Sequence, residues 1–160
     1  MIKLLLSLLL AFYGTVGQWI SPVSSAEKPT MMVLPCANGY DYSTAGLDLE
    51  AELEKALLGE SDFVLKSVPY KILMGVNYLG VFDKKYCPPI LEKVPVDVLI
   101  MCRFAGKNDP FGYEVRLLRT RDMRQVDSIQ ATGLQTQEEV RKSVREQKAA
   151  LMADIRALIE

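Results

Sequence analysis

The sequence contains no histidine, and this absence excludes several kinds of active site. Catalysis by Ser-His-Asp or Cys-His groups needs an imidazole side chain, and so does any metal site with a histidine ligand. Basic charge is not in excess either, because 19 Lys and Arg residues are balanced by 20 Asp and Glu residues. Recognition of phosphates normally requires a basic face, so the composition argues against a nucleic-acid-binding protein.

Cysteines are few, and they lack the spacing of common metal and redox motifs. The chain has three cysteines and no CxxC pair, which gives a thioredoxin-like redox role little support. A structural zinc site normally takes four ligands. The three cysteines supply only three of them, and there is no histidine to act as the fourth. No GxxxxGK[ST] phosphate loop is present. We therefore expect a protein with no metal, no cofactor and no enzymatic activity.

The 160 residues, of which 49% are hydrophobic, divide into a leader and one domain. Lys3 precedes an apolar run over residues 4–13, and a turn-prone stretch then ends in Ser24-Ser25-Ala26. A cut after Ala26 has small residues at the positions that signal peptidase requires, so residues 1–26 are predicted to be a cleaved secretory signal peptide. Residues 27–160 are then a single secreted domain with no stable membrane insertion. The alternative is an uncleaved N-terminal membrane anchor, because residues 4–20 approach the length that spans a bilayer.

Strand and helix patterns alternate along the predicted domain. An apolar run over residues 30–35 is typical of a buried strand, and an amphipathic helix over residues 49–58 follows it, with Ser43 or Thr44 as its N-cap and Gly59 as its stop. The remaining predicted elements are a strand at 62–69, a helix from about 83 to 94, a strand at 96–104, a hairpin at 111–131, and a long C-terminal helix that begins at the capping box Thr136–Glu139. This order predicts an α/β (α+β-like) fold with a mixed sheet of about five strands.

A family resemblance rests on Val33-Leu34-Pro35, the helix at 49–58, the strand at 63–68, the segment Val96–Ile100 and the hairpin after it. In this pattern and order, residues 30–159 resemble the amino-terminal domain of the TolB proteins of the Tol-Pal system and related bacterial envelope accessory domains. The resemblance implies a domain of the cell envelope that binds another envelope protein and has no catalysis of its own.

The three cysteines are expected at one edge of the sheet. Cys36 follows the first strand, Cys102 ends the third, and Cys87 begins the helix that returns into that third strand. In an oxidising periplasm we expect one disulfide and one free thiol, and the alternative is three buried unpaired thiols. Pairing of Cys87 with either Cys36 or Cys102 is favoured over a Cys36–Cys102 bond, because a bridge between neighbouring parallel strands fits disulfide geometry poorly.

The loop after the first strand is the candidate partner-binding segment. Tyr40 and Tyr42 are aromatic residues of the kind that interfaces favour, and Asn38 and Asp41 lie beside them. The alternative is that these tyrosines cover the edge of the sheet.

Two other functions are weighed against protein binding. One is a small hydrolase or thiol enzyme of the envelope that uses Cys36 with Asp41, although nothing positions a base near Cys36. The other is a periplasmic protein that binds a small ligand through the apolar segment Tyr70–Leu79.

Two surface patterns have ordinary structural interpretations. The hairpin arginines alternate with acids, which predicts a solvated face instead of a basic binding patch; they are Arg116, Arg119, Arg121 and Arg124, with Glu114, Asp122 and Asp127. The apolar stripe of the C-terminal helix predicts packing against the sheet, since Gln147 interrupts a coiled-coil seam.

Overall fold

The computed structural model describes residues 27–37, 46–69 and 81–160. Within these ranges the chain forms an α/β fold, as predicted, with a five-stranded mixed sheet and a long C-terminal helix. The elements are β1 (Thr30–Val33), α1 (Leu49–Leu57), β2 (Val64–Lys66), a 3-10 turn (Lys84–Tyr86), α2 (Pro88–Leu91), β3 (Val98–Phe104), β4 (Tyr113–Arg119), β5 (Arg124–Ala131) and α3 (Gln137–Ile159).

The strand order in the sheet is β2-β1-β3-β4-β5. β1 lies parallel to both β2 and β3, and the two later strands form an antiparallel meander with β3. The parallel half comes from strands connected by crossovers, whereas the antiparallel half comes from the predicted hairpin. The carboxyl ends of β1 and β3 therefore lie at one edge of the sheet.

The sheet has an apolar core on each face. Residues of β3 alternate between the cores, with Ile100, Cys102 and Phe104 on the face covered by α1 and α3, and Leu99 and Met101 on the opposite face. We call these the α3 face and the α2 face. β3 is buried on both faces, which explains why it reads as a continuous apolar run in the sequence.

The helix α3 confirms the predicted cap and stripe. The Thr136 hydroxyl accepts a hydrogen bond from the Glu139 N–H at 3.2 Å. Gln147 lies beside the stripe, and its amide donates to the hydroxyl of the buried Tyr113 and to that of Ser143. The buried residues of the helix face the sheet and form no coiled-coil seam; they are Val140, Val144, Leu151, Met152, Ile155 and Leu158.

The start of α1 differs from the prediction. Asp48, not Ser43 or Thr44, is the N-cap, and its carboxylate accepts a hydrogen bond from the Ala51 N–H at 3.0 Å. Asp48 has this role because it directly precedes the first helical residue, where a short acidic side chain reaches the free N–H groups of the first turn. Gly59 follows the helix with φ of +87°, a conformation that favours glycine, so the predicted stop is confirmed.

The predicted helix at 83–94 is divided into two short pieces. A 3-10 turn at Lys84–Tyr86 ends before Pro88 and Pro89, which begin α2. Neither proline has an N–H to donate to the preceding turn, so the turn cannot continue through them, whereas the first positions of a new helix tolerate them. The strand predicted at 62–69 is likewise shorter and covers Val64–Lys66.

Candidate functional site

The carboxyl edge of β1 and β3 contains a disulfide between Cys36 and Cys102, whose Cα atoms are 4.7 Å apart. Cys87 is free and buried. The expectation of one disulfide with one free thiol agrees with this arrangement. The favoured pairing, which gave Cys87 a bond to one of the other two, is wrong.

A one-residue irregularity beside Pro35 makes the observed pairing geometrically accessible. β1 pairs with β3 in the register Val33↔Ile100, but beyond the strand Ala37 bridges to Arg103. The first pair has a sequence offset of 67 and the second an offset of 66, so the β1 side contains one extra residue. This bulge places Cys36 beside Cys102 on the α3 face. An uninterrupted strand would have placed Cys36 on the opposite face.

Cys87 lies on the other side of the sheet. Its sulfur is 3.8 Å from the sulfur of Met101 on the α2 face, whereas Cys102 points to the α3 face. The sheet therefore separates Cys87 from the disulfide, and the expected cluster of three thiols does not form. Burial and, to a smaller extent, the negative charge of Asp83 together raise the pKa of Cys87 to about 11. The thiol is protonated at neutral pH and is a poor nucleophile.

The predicted partner-binding residues Asn38, Tyr40, Asp41 and Tyr42 lie outside the described residues, but the chain is held firmly on either side of them. On one side, the Ala37 N–H donates to the Cys102 carbonyl at 2.8 Å, and the Phe104 N–H donates to the Ala37 carbonyl at 3.2 Å. On the other side, Leu47 is 6% exposed and Asp48 caps α1. Residues 38–45 thus connect two anchored points, the first of which directly follows the disulfide-bonded Cys36.

Charged side chains lie on the α2 face at the same edge. Arg103 forms a bidentate ion pair with Glu114 on the neighbouring strand, in which Nε donates to one carboxylate oxygen at 3.2 Å and Nη2 donates to the other at 3.1 Å. Arg116 similarly pairs with Asp127, at 2.7 Å. Both guanidinium groups lie over the ring of Phe82, 4.4 and 4.1 Å from its centroid. The ring is 8% exposed, and it holds the chain entering the 3-10 turn against the sheet.

The hairpin arginines Arg116 and Arg119 are ion-paired, as the interleaved acids predict, but the expectation of one solvated face is wrong. Arg116 lies over Phe82 on the α2 face, whereas the Arg119 side chain is only 12% exposed and lies against α3. Arg119 pairs with Asp122 and also donates to the Leu158 carbonyl at 2.7 Å, which satisfies a free carbonyl at the end of α3. Sequence reasoning missed this contact and the stacking on Phe82, because their partners are far apart in the sequence. No local motif signals either one.

An acidic group marks the beginning of α1. Burial and, to a smaller extent, the nearby negative charges of Asp48 and Glu54 together raise the pKa of Glu50 to about 7. Burial and Asp48 also raise the pKa of Glu54. Glu50 is therefore partly protonated near neutral pH, beside the point where the chain enters the helix.

Within residues 27–37, 46–69 and 81–160, no three cysteine or acidic side chains are grouped so that they could hold a metal ion. In those same ranges, no helix combines the length and apolar character needed to cross a bilayer. The predicted signal peptide and the apolar segment Tyr70–Leu79 lie outside them, so both remain predictions.

Comparison with known proteins yields only a weak structural resemblance. No family model matches the chain, and no curated protein matches it. The crystal structure of TolB from Acinetobacter baumannii is similar over 79% of this chain, with 14% identity and a TM-score of 0.46, and the chain spans 28% of that TolB. The structure of the hypothetical protein CT253 from Chlamydia trachomatis is similar over 66% of this chain and 70% of its own, with 11% identity and a TM-score of 0.40. Neither likeness is strong enough to support an argument about function.

Proposed function

We propose that this chain is a non-catalytic protein-interaction domain of the bacterial cell envelope, located in the periplasm. The observation that carries the proposal is the Cys36–Cys102 disulfide at the base of the predicted partner-binding loop. The disulfide supports the proposed compartment, and it fixes the position at which the loop begins.

The disulfide supports an extracytoplasmic location. Structural disulfides persist in oxidising compartments, whereas cytosolic thiols are kept reduced. The order of charged, apolar and small residues over positions 1–26 independently predicts export. Covalent structure and leader pattern thus favour the same compartment.

The disulfide also fixes the start of a segment with the composition of a binding loop. Cys36 is bonded to the interior of the sheet two residues before Asn38, and α1 begins at a capped position after the loop. Binding residues are commonly found on loops that a rigid scaffold positions. Tyr40 and Tyr42 are aromatic residues suited to the centre of a protein interface.

The same bond argues against a thiol enzyme based on Cys36. A disulfide-bonded sulfur has no thiolate with which to attack a substrate, and the remaining thiol, Cys87, is buried with a raised pKa. The alternative of a small-ligand site at Tyr70–Leu79 gains no support from the described residues.

The test is recovery of an envelope partner by loop variants. The full chain with its leader and a C-terminal affinity tag is expressed, cross-linked in intact cells and recovered, alongside a Tyr40→Ala/Tyr42→Ala variant. The matched control is Tyr86→Ala, since Tyr86 is 58% exposed and belongs to the 3-10 turn, outside the loop. We expect the double variant to reduce recovery of the specific partner by at least about tenfold, as loss of interface aromatic residues does.

Equal recovery with the double variant and with the control would contradict the assignment of the loop. Cell fractionation gives a separate check on the compartment. Release of the chain with the periplasmic fraction is expected, with two of its thiols blocked from alkylation until reduction. A chain that stays in the cytosol with three free thiols would contradict the location.

A further inference from the structure

The bulge at Pro35 has an alternative, in which β1 continues past Leu34 as a regular parallel strand beside β3. This regular register uses the same hydrogen-bonding groups of β3 as the bulged register. In the structure, Leu34 N–H donates to the Ile100 carbonyl and Ala37 N–H donates to the Cys102 carbonyl, both at 2.8 Å. An uninterrupted parallel strand donates from every second residue, so Cys36 N–H would follow Leu34 in that pattern. The bulged and regular registers therefore satisfy the Cys102 carbonyl equally well.

The side chains show the same shift independently. Val33 lies on the α3 face and Leu34 on the α2 face, but beyond Pro35 the order is Cys36 on the α3 face and Ala37 on the α2 face. Strict alternation would give the reverse assignment for the last two residues. Both observations place the irregularity between Leu34 and Cys36.

The regular register also packs acceptably. In it, Cys36 takes the place of Ala37 opposite Arg103, and Pro35 takes the place of Cys36 opposite Cys102. Each replacement exchanges one small apolar residue for another, which a packed core tolerates better than other changes. The missing N–H of Pro35 leaves no hydrogen bond to β3 unmade in the regular register, because the backbone nitrogen at that position faces β2. Pairing between β1 and β2 has already ended there, at Met32↔Lys66.

We propose that the Cys36–Cys102 disulfide selects the bulged register, and that its reduction by a dithiol lets the end of β1 move by one residue along β3 into the regular register. Only the bulged register places the two sulfur atoms on the same face, so the bond is compatible with that register alone. The shift carries Ala37 forward by about 3.3 Å, the rise of one strand residue. If the loop after Ala37 binds a partner, as proposed above, the redox state then changes where that loop begins.

The reduction is a balanced exchange. A thiolate of the dithiol attacks the Cys36 sulfur, because Cys36 is only partly buried whereas Cys102 is 0% exposed. Cys102 leaves as a thiolate and takes up a proton. The second thiol of the reductant then resolves the mixed disulfide, and Cys36 is released as a thiol. Two electrons and two protons pass from the dithiol, which becomes the oxidised disulfide.

Amide hydrogen exchange measured by NMR tests the register directly. Oxidised protein is compared with protein reduced by dithiothreitol and with a Cys36→Ala/Cys102→Ala variant. We expect the protection of the Ala37 amide to fall by at least about tenfold on reduction, while that of residue 36 rises. The Leu34 amide precedes the bulge and its protection is expected to change by less than about twofold. The matched control is Cys87→Ala, which removes a buried thiol and keeps the disulfide.

Two results would overturn the proposal. If Ala37 stays protected and residue 36 stays unprotected after reduction, the bulge is stable without the bond. If protection is lost throughout β1 and β3, the bond holds the strands together and does not select a register. Both outcomes are independent of whether the loop binds a partner, since no partner is present in the measurement.

Discussion

Replacing both Cys36 and Cys102 with alanine is expected to lower the free energy of unfolding by about 4 kcal/mol. The disulfide joins residues separated by 66 positions. Loop-closure entropy gives about 3 kcal/mol for a 15-residue loop and about 4.7 kcal/mol for a 100-residue loop, so a loop of this size lies near 4 kcal/mol. The effect arises in the unfolded chain, which the bond prevents from expanding. Most domains have about 5–15 kcal/mol of stability, so we expect the variant to remain folded.

Urea unfolding followed by circular dichroism at 25 °C measures this difference. The unfolded state of the variant is more extended, so its denaturant m value is also expected to increase. Cys87→Ala is the comparison, because it removes a fully buried sulfur without opening a disulfide and is expected to cost about 1 kcal/mol through the small cavity. A double variant that is destabilised no more than Cys87→Ala would refute the entropic reasoning.

Substitutions at three further positions probe local interactions, each through the free energy of unfolding in urea. Ionisation of Glu50, whose folded pKa is about 7 instead of 4.5, costs stability as the pH rises through this window. The full shift corresponds to about 3 kcal/mol, which solvent screening reduces to about 1 kcal/mol, so Glu50→Gln should stabilise by that amount at pH 8 and by almost nothing at pH 4. Equal effects at both pH values would contradict this. Tyr113→Phe removes a buried hydroxyl that is 2.9 Å from the Ser143 hydroxyl and should cost about 1 kcal/mol; an unchanged urea midpoint would show that the contact contributes nothing. Thr136→Ala removes the N-cap of α3 and should also cost about 1 kcal/mol, whereas Thr136→Ser should restore most of it.

Most of the fold was predictable because burial imposes its own periodicity on the sequence. The stripe from Val140 to Leu158 recurs with the helical period, and the same residues are buried in α3. β4 alternates between buried and partly exposed residues from Tyr113 to Leu117, as a strand with one face on the core requires. These patterns extend over several residues, so a single exception does not change the prediction.

Element boundaries were less predictable because individual hydrogen-bonding groups determine them. Asp48 immediately precedes α1, and aspartate is as good an N-cap residue as serine or threonine. The hydrophobic pattern alone does not show whether the helix begins after Ser43, Thr44 or Asp48. Pro88 and Pro89 begin α2, and the helix predicted from about residue 83 crosses the position where their missing N–H groups interrupt it.

The pairing of the cysteines was unpredictable for a different reason. The prediction against a Cys36–Cys102 bond rested on the poor fit of a disulfide between neighbouring parallel strands. The structure adds that, in an uninterrupted register, Cys36 would lie on the opposite face from Cys102. One extra residue in the chain at Pro35 reverses that conclusion. The extra residue cannot be recognised without the partner strand, because it exists only as a difference in register between β1 and β3. Bulges commonly redirect a side chain next to a functional segment. The bulge at Pro35 lies at the start of the loop that contains Tyr40 and Tyr42. We therefore expect partner binding by this loop to depend on the bulge.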